Sequence, residues 1–422
     1  MRFLVGTHAY NAQIQNTALA LLEGDMLGEA YLGLVDNYRS AQAKMLRRVI
    51  QLSSPYLDHQ LRRRHIANLP DSLIVKHWKW ELLRTLGVKS GLGECAADQL
   101  WELGEHALDK KCAIALERSC FDGYLGVEHG ALLSIRKTKE LGKKSVVSFL
   151  SPHHSLRKKW VDPEYEKWPQ LLSPSAKRLQ QIAPLRDERR NQEAQLADVV
   201  FANSRLTRDS LIDAGIPKQK IITVPLGSAT SSGPISLPDA LNGPLKFIYA
   251  GTLSVHKGSH YLLQGWQRFR ENRAVELHLF GTNKLPPEFQ QALSGNVVCH
   301  GPVSRQELFQ AFQKGAALIF PTLCDGWGLV VTEALANGLP VISTRNAGAA
   351  DRISEDWNGF FVPAADSAAI SDRIEWCLDH RERLVEMRSN AIASASEWTW
   401  ADFRESLRQQ LSERFAANGN GG

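Results

Sequence analysis

The feature that most constrains the fold is a regular alternation after residue 244. Apolar runs of strand length at 247–250, 276–280, 297–300 and 317–320 are separated by helix-like segments at 259–270, 285–292 and 305–314. Strands spaced this way cannot be joined by tight hairpins. They require βαβ crossovers, and therefore a parallel sheet with helices on its faces. A further strand-like run at 358–363 and a helix at 367–379 complete that unit.

The first 228 residues show the same pattern less regularly. Strand-like runs stand at 3–6, 121–127, 145–150, 198–202 and 221–225, with helical segments at 18–27, 42–52, 131–141, 187–197 and 205–214. A chain of 422 residues is too long for one comfortable core. The expected organisation is a domain over 1–228, a Ser/Pro/Gly-rich linker over 229–244 and a second domain over 245–397. An amphipathic stretch at 398–415 closes the chain.

Bulk properties exclude several classes. With 43% hydrophobic and 23% charged residues the composition is globular. No apolar run reaches membrane-spanning length, and 2–5 is too short for a signal-peptide core. The six cysteines are scattered without a Cys-x-x-Cys pair, which speaks against a zinc site or disulfide framework and fits a cytoplasmic location. The net charge of +5 divides into +8 over 1–228 (33 basic against 25 acidic) and −3 over the rest. A basic first half fits an acidic partner: a phosphorylated lipid, an anionic membrane surface on the cytoplasmic face, or an anionic glycan. No nucleic-acid-binding motif accompanies the charge. Gly91-Leu-Gly-Glu-Cys-Ala96 imitates a dinucleotide fingerprint, but no strand precedes it.

Two segments carry chemistry. In 317–343 a buried strand runs into the loop Asp325-Gly326-Trp327-Gly328, then a helix from Leu329 closed by Gly338 and Pro340. The free amides at such a helix start bind anions. Asp325 in the loop and Glu333 about one turn into the helix can both accept hydrogen bonds from hydroxyls of one bound molecule. An ordinary βα unit is the plain alternative. In 249–258 a strand ends at Gly251, and Lys257-Gly258 precedes a helix; the glycine admits a phosphate and the lysine neutralises it. Two such loops in one parallel sheet can face the same crevice.

The run Glu333-Ala-Leu-Ala-Asn-Gly-Leu-Pro-Val341, eight residues after an acid beside a Gly-aromatic-Gly turn, resembles the signature of family 4 retaining glycosyltransferases. Gly251 to Gly258 resembles that family's Gly-Arg-Leu-x-x-x-Lys-Gly loop, with Lys257 matching and Thr252 replacing the arginine; Asp325 replaces the family's glutamate. Val224-Pro225-Leu226-Gly227 matches the close of the family's first domain. The resemblance implies a GT-B fold: two Rossmann-like α/β domains with parallel sheets facing across a cleft. It also implies a retaining, metal-independent transfer from a nucleotide-diphosphate sugar to a glycan, lipid-linked or small-molecule acceptor. The donor would lie on Gly251, Thr252, Lys257, Asp325, Gly326, Trp327, Gly328, Leu329 and Glu333, with Glu333 at the ribose. His153 and His154, at the end of the 145–150 strand, resemble the family's histidine beside the reacting carbon, and either can be the equivalent. No cofactor or metal is implied, in keeping with the absence of an Asp-x-Asp motif. A sugar-nucleotide epimerase of related fold and a catalytically silent sugar-nucleotide-binding protein are the alternatives.

Overall fold

The computed structural model describes residues 1–38, 41–53, 58, 61–62, 64–228, 243–286, 288–289, 293 and 295–417. Residues 229–242 of the expected 229–244 linker, part of the expected 285–292 helix and the last five residues lie outside them.

Thirteen strands among the described residues form two sheets. The first has β1 (Phe3–Thr7), β2 (Leu27–Leu32), β3 (Ile74–Lys76), β4 (Gly123–Val127), β5 (Lys144–Phe149), β6 (Val199–Ala202) and β7 (Ile221–Thr223). Their order is β3-β2-β1-β4-β5-β6-β7. The second has β8 (Leu245–Ala250), β9 (Val275–Phe280), β10 (Val297–Gly301), β11 (Ala317–Phe320), β12 (Val341–Ser343) and β13 (Gly359–Phe361), ordered β10-β9-β8-β11-β12-β13. Every pairing is parallel. The central strands are apolar along their whole length because helices cover both faces, as in Val199–Ala202 and Ala317–Phe320. In each sheet the winding reverses between neighbouring strands, β1/β4 in one and β8/β11 in the other. Crevices for ligands open at such reversals.

The terminal helix Trp400–Ala417 returns to the first domain. Phe403 meets Phe201 at 6.1 Å between ring centroids and Phe415 meets Phe3 at 5.6 Å. The indole of Trp398 donates to the Pro225 carbonyl at 2.8 Å, and the Ser228 amide donates to the Trp398 carbonyl at 3.0 Å.

Several element bounds differ from the sequence reading. The helix expected at 18–27 is Ala12–Glu23, because Asn11 caps it and Gly24 with Asp25 (φ 52°) ends it, releasing Leu27 into β2. The short strands β2 and β3 carry no clean alternation and are not legible. The helix expected at 187–197 begins at Pro174, capped by Ser173, and runs through Pro184 to Leu196.

Candidate active site

The loops after β8 and β11 stand side by side at the reversal of the second sheet. Gly251 adopts φ 142° and Gly258 φ 64°, conformations that glycine reaches without strain. A Cβ on Gly258 would lie 1.9 Å from the Pro321 carbonyl oxygen, so the two loops close on each other only through glycine. Gly258 caps the helix Ser259–Trp266 and places Lys257 against the second loop. There the Asp325 amide donates to the Asn346 carbonyl at 2.9 Å, and the Gly348 amide donates to the Asp325 carbonyl at 3.0 Å. The Asp325 carboxylate accepts the Trp327 amide at 3.3 Å and forms an ion pair with the Lys257 ammonium. Gly328, at φ 86°, caps the helix Leu329–Ala336.

These groups wall a cavity of about 300 Å³. Gly251, Lys257, Asp325, Trp327, Gly328 and Leu329 line it from the second domain; Asn11, Gln13, Leu150 and Asn203 line it from the first. Three expected donor residues lie outside the lining. Thr252 turns its carbonyl to the Tyr249 hydroxyl at 2.8 Å. Gly326 packs on the Leu150–Ser151 backbone. Glu333 pairs with Arg305 at 2.9 Å, and burial pushes its carboxyl up while Arg305 pulls it down. His256 supplies no replacement for the charge missing at Thr252: burial and then Lys257 push it down to about 4, leaving it neutral at neutral pH.

His153 and His154 are packed inside the first domain and line neither this cavity nor its neighbour. Their Nε2 atoms lie 2.9 and 3.1 Å from the Asn191 side-chain oxygen, and His154 Nδ1 lies 3.3 Å from Asp187. The loop after β5 turns at once into the helix His154–Trp160, so both rings fold back toward the helix Pro174–Leu196.

A histidine that sequence reasoning passed over, His129 after β4, does line an open cavity. With Trp101, Glu105, Glu128, Arg186 and Arg190 it lines a second space of about 410 Å³, and Leu150 borders both this space and the first. His129 holds φ 75°, unfavourable for a residue with a Cβ. A buried network holds it there. Its amide donates to Glu193 at 2.5 Å, its carbonyl accepts from Arg189 at 2.6 Å, and Arg189 is bound in turn to Asp109 at 2.6 Å. The signal in the sequence is Glu128-His129-Gly130 directly after an apolar run, at the reversal of the first sheet.

Residues 244–380 match the family model described as Glycosyl transferases group 1. The second domain is a glycosyl transferases group 1 domain. Among curated relatives, D-inositol 3-phosphate glycosyltransferase of Corynebacterium efficiens is 29% identical over 121 residues, 29% of this chain and 28% of that protein. The amylovoran biosynthesis glycosyltransferase AmsK of Erwinia amylovora is 24% identical over 186 residues, 41% of this chain and 46% of that protein. The chain thus spans less than half the length of these relatives. Structural likeness extends across both domains. HepE of Anabaena, solved with UDP and glucose, aligns over 98% of this chain and 99% of its own at TM-score 0.62 and 16% identity. An α,α-trehalose-phosphate synthase (UDP-forming) from Burkholderia vietnamiensis aligns over 100% and 99% at TM-score 0.63 and 14% identity. The group 1 domain therefore sits in a GT-B fold, its cavity facing the first sheet.

Proposed function

We propose that this chain is a retaining glycosyltransferase. Its group 1 domain would hold a nucleotide-diphosphate sugar, and the first domain would present a glycan, lipid-linked or small-molecule acceptor. The observation that carries this reading is the convergence of Lys257 and the amino end of the helix Leu329–Ala336 on one cavity whose opposite wall belongs to the other domain. Breaking the nucleotide–sugar bond expels a diphosphate, so preorganised positive charge at that leaving group contributes most. Lys257 supplies a full charge and the helix start a partial one, which together replace a diphosphate-bound metal. An ammonium has three donors, so Lys257 can keep Asp325 while reaching a phosphate. UDP in the solved HepE complexes makes uracil the first base to try.

Membrane association of the first domain is part of the reading. On the helix Ala41–Ser53, Met45, Val49 and Leu52 are exposed at i, i+4 and i+7 beside Lys44 and Arg48, the pattern of a helix lying on an anionic surface. Among the described residues no helix is long and apolar enough to cross a membrane.

The test is a panel of UDP-, GDP- and ADP-sugars followed by melting temperature and free-nucleotide release. Stabilisation with release supports transfer, and proton NMR of the product reads the anomer. Stabilisation without release across a broad acceptor panel points to a silent binding protein; no stabilisation by any nucleotide overturns the proposal.

A further inference from the structure

Glu102 and His106 stand one turn apart on the helix Glu94–Ala115, and the strained turn at His129 carries a second imidazole against them. Each offers one ligand atom, and the three atoms lie within 4.8 Å of one another. Nε2 of His106 and both ring nitrogens of His129 are shut off from solvent with no hydrogen-bond partner among the described residues. His129 itself is only 7% exposed. Buried polar atoms left this way ask for an occupant.

We propose that Glu102, His106 and His129 form a binding site for a divalent transition-metal ion of the zinc class, in the wall of the first-domain cavity. Two imidazoles and a carboxylate are the N and O donors such ions take, and three protein ligands leave a position open. Because His129 also lines the 410 Å³ cavity, the site stands in the wall beside the space where the proposed acceptor would lie.

The surrounding charges decide the strength. Arg186 and Arg178 approach the Glu102 carboxylate at 3.3 and 3.6 Å, as outer-shell groups do when they orient a ligating carboxylate. Arg189 is answered by Asp109 at 2.6 Å and Glu193 at 3.5 Å. Three guanidinium groups are thus set against the carboxylates of Glu102, Asp109 and Glu193 around the site. It lies in the other domain from Lys257 and takes no part in holding a diphosphate.

The test uses the whole chain stripped with chelator and titrated with Zn²⁺ by calorimetry and with Co²⁺ by visible absorption. One equivalent is expected. His106→Asn and Glu102→Gln should each weaken it at least tenfold. His300→Asn, in the exposed His278–His300 pair, should leave it unchanged. Less than a tenth of an equivalent bound, or unchanged binding in both His106→Asn and Glu102→Gln, overturns the proposal. Should His129→Asn fail to fold, the two helix variants decide. Nucleotide stabilisation is read separately, so failure of either proposal is distinguishable from failure of the other.

Discussion

Gly326→Ala is a direct probe of how the two domains meet. A Cβ at Gly326 would stand 1.9 Å from the Leu150 carbonyl oxygen and 2.8 Å from Ser151 Cα. These are backbone atoms, and the Leu150 carbonyl is already held by the Asn203 side-chain amide at 3.0 Å, so no rotamer change relieves the clash. Carbon and oxygen need about 3.2 Å, and 3.2 less 1.9 requires the walls to part by roughly 1.3 Å. Gly326 has no left-handed backbone angle, so the added methyl acts through sterics alone. Overpacking of this kind costs about 1–3 kcal/mol, which moves the closed arrangement by roughly five- to 150-fold. The expected result is a longer inter-domain distance by spin-label or fluorescence pair, a melting temperature of the second domain near wild type, and sugar transfer reduced by at least fivefold. Because Lys257, Asp325 and the helix start at Leu329 all belong to the second domain, nucleotide affinity should change less than turnover. An unchanged inter-domain distance together with unchanged turnover would refute the reasoning.

Three further outcomes are expected. Since Glu333 takes up a proton at higher pH than an ordinary glutamate, nucleotide affinity should fall as pH drops through that raised value. The nucleotide-free protein gains stability over the same interval, because the folded chain holds the proton more tightly than the unfolded one; Glu333→Gln should flatten both profiles in calorimetric and melting titrations. Glu193→Ala leaves the amides of His129 and Ala131 without their acceptor, at about 1–3 kcal/mol each by denaturant unfolding, while Glu193→Gln, keeping one acceptor oxygen, should lose less. Phe403→Ala removes a fully buried ring between Phe201 and Trp400 and should cost about 3–5 kcal/mol, showing that the terminal helix is part of the first domain's core.

The second sheet was legible because its strands carry short apolar runs at regular spacing between helix-like segments, so element type could be read locally. The anion-binding loops were legible for a related reason: Gly251, Gly258 and Gly328 mark positive φ at fixed places before helices. What could not be read depends on contacts distant in sequence. The pairing of Glu333 with Arg305 joins residues 28 positions apart through two helices. His129 is brought to its cavity by Glu193, 64 positions away, whereas His153 and His154 are drawn away from it by Asn191. The strands β2 and β3 are short and interrupted by polar residues, and only the pairing of β2 with β1 and of β3 with β2 makes them strands.

The central claim is that a nucleoside diphosphate sits between Lys257 and the helix starting at Leu329. Its most direct measurement is calorimetric titration of UDP, with GDP and ADP in parallel, into wild type and Lys257→Ala. At least one diphosphate should bind wild type, and the variant should bind it about ten- to 100-fold more weakly, the worth of one charge-assisted contact of about 1.5–3 kcal/mol. Equal affinity of a folded Lys257→Ala protein for that nucleotide would contradict the account.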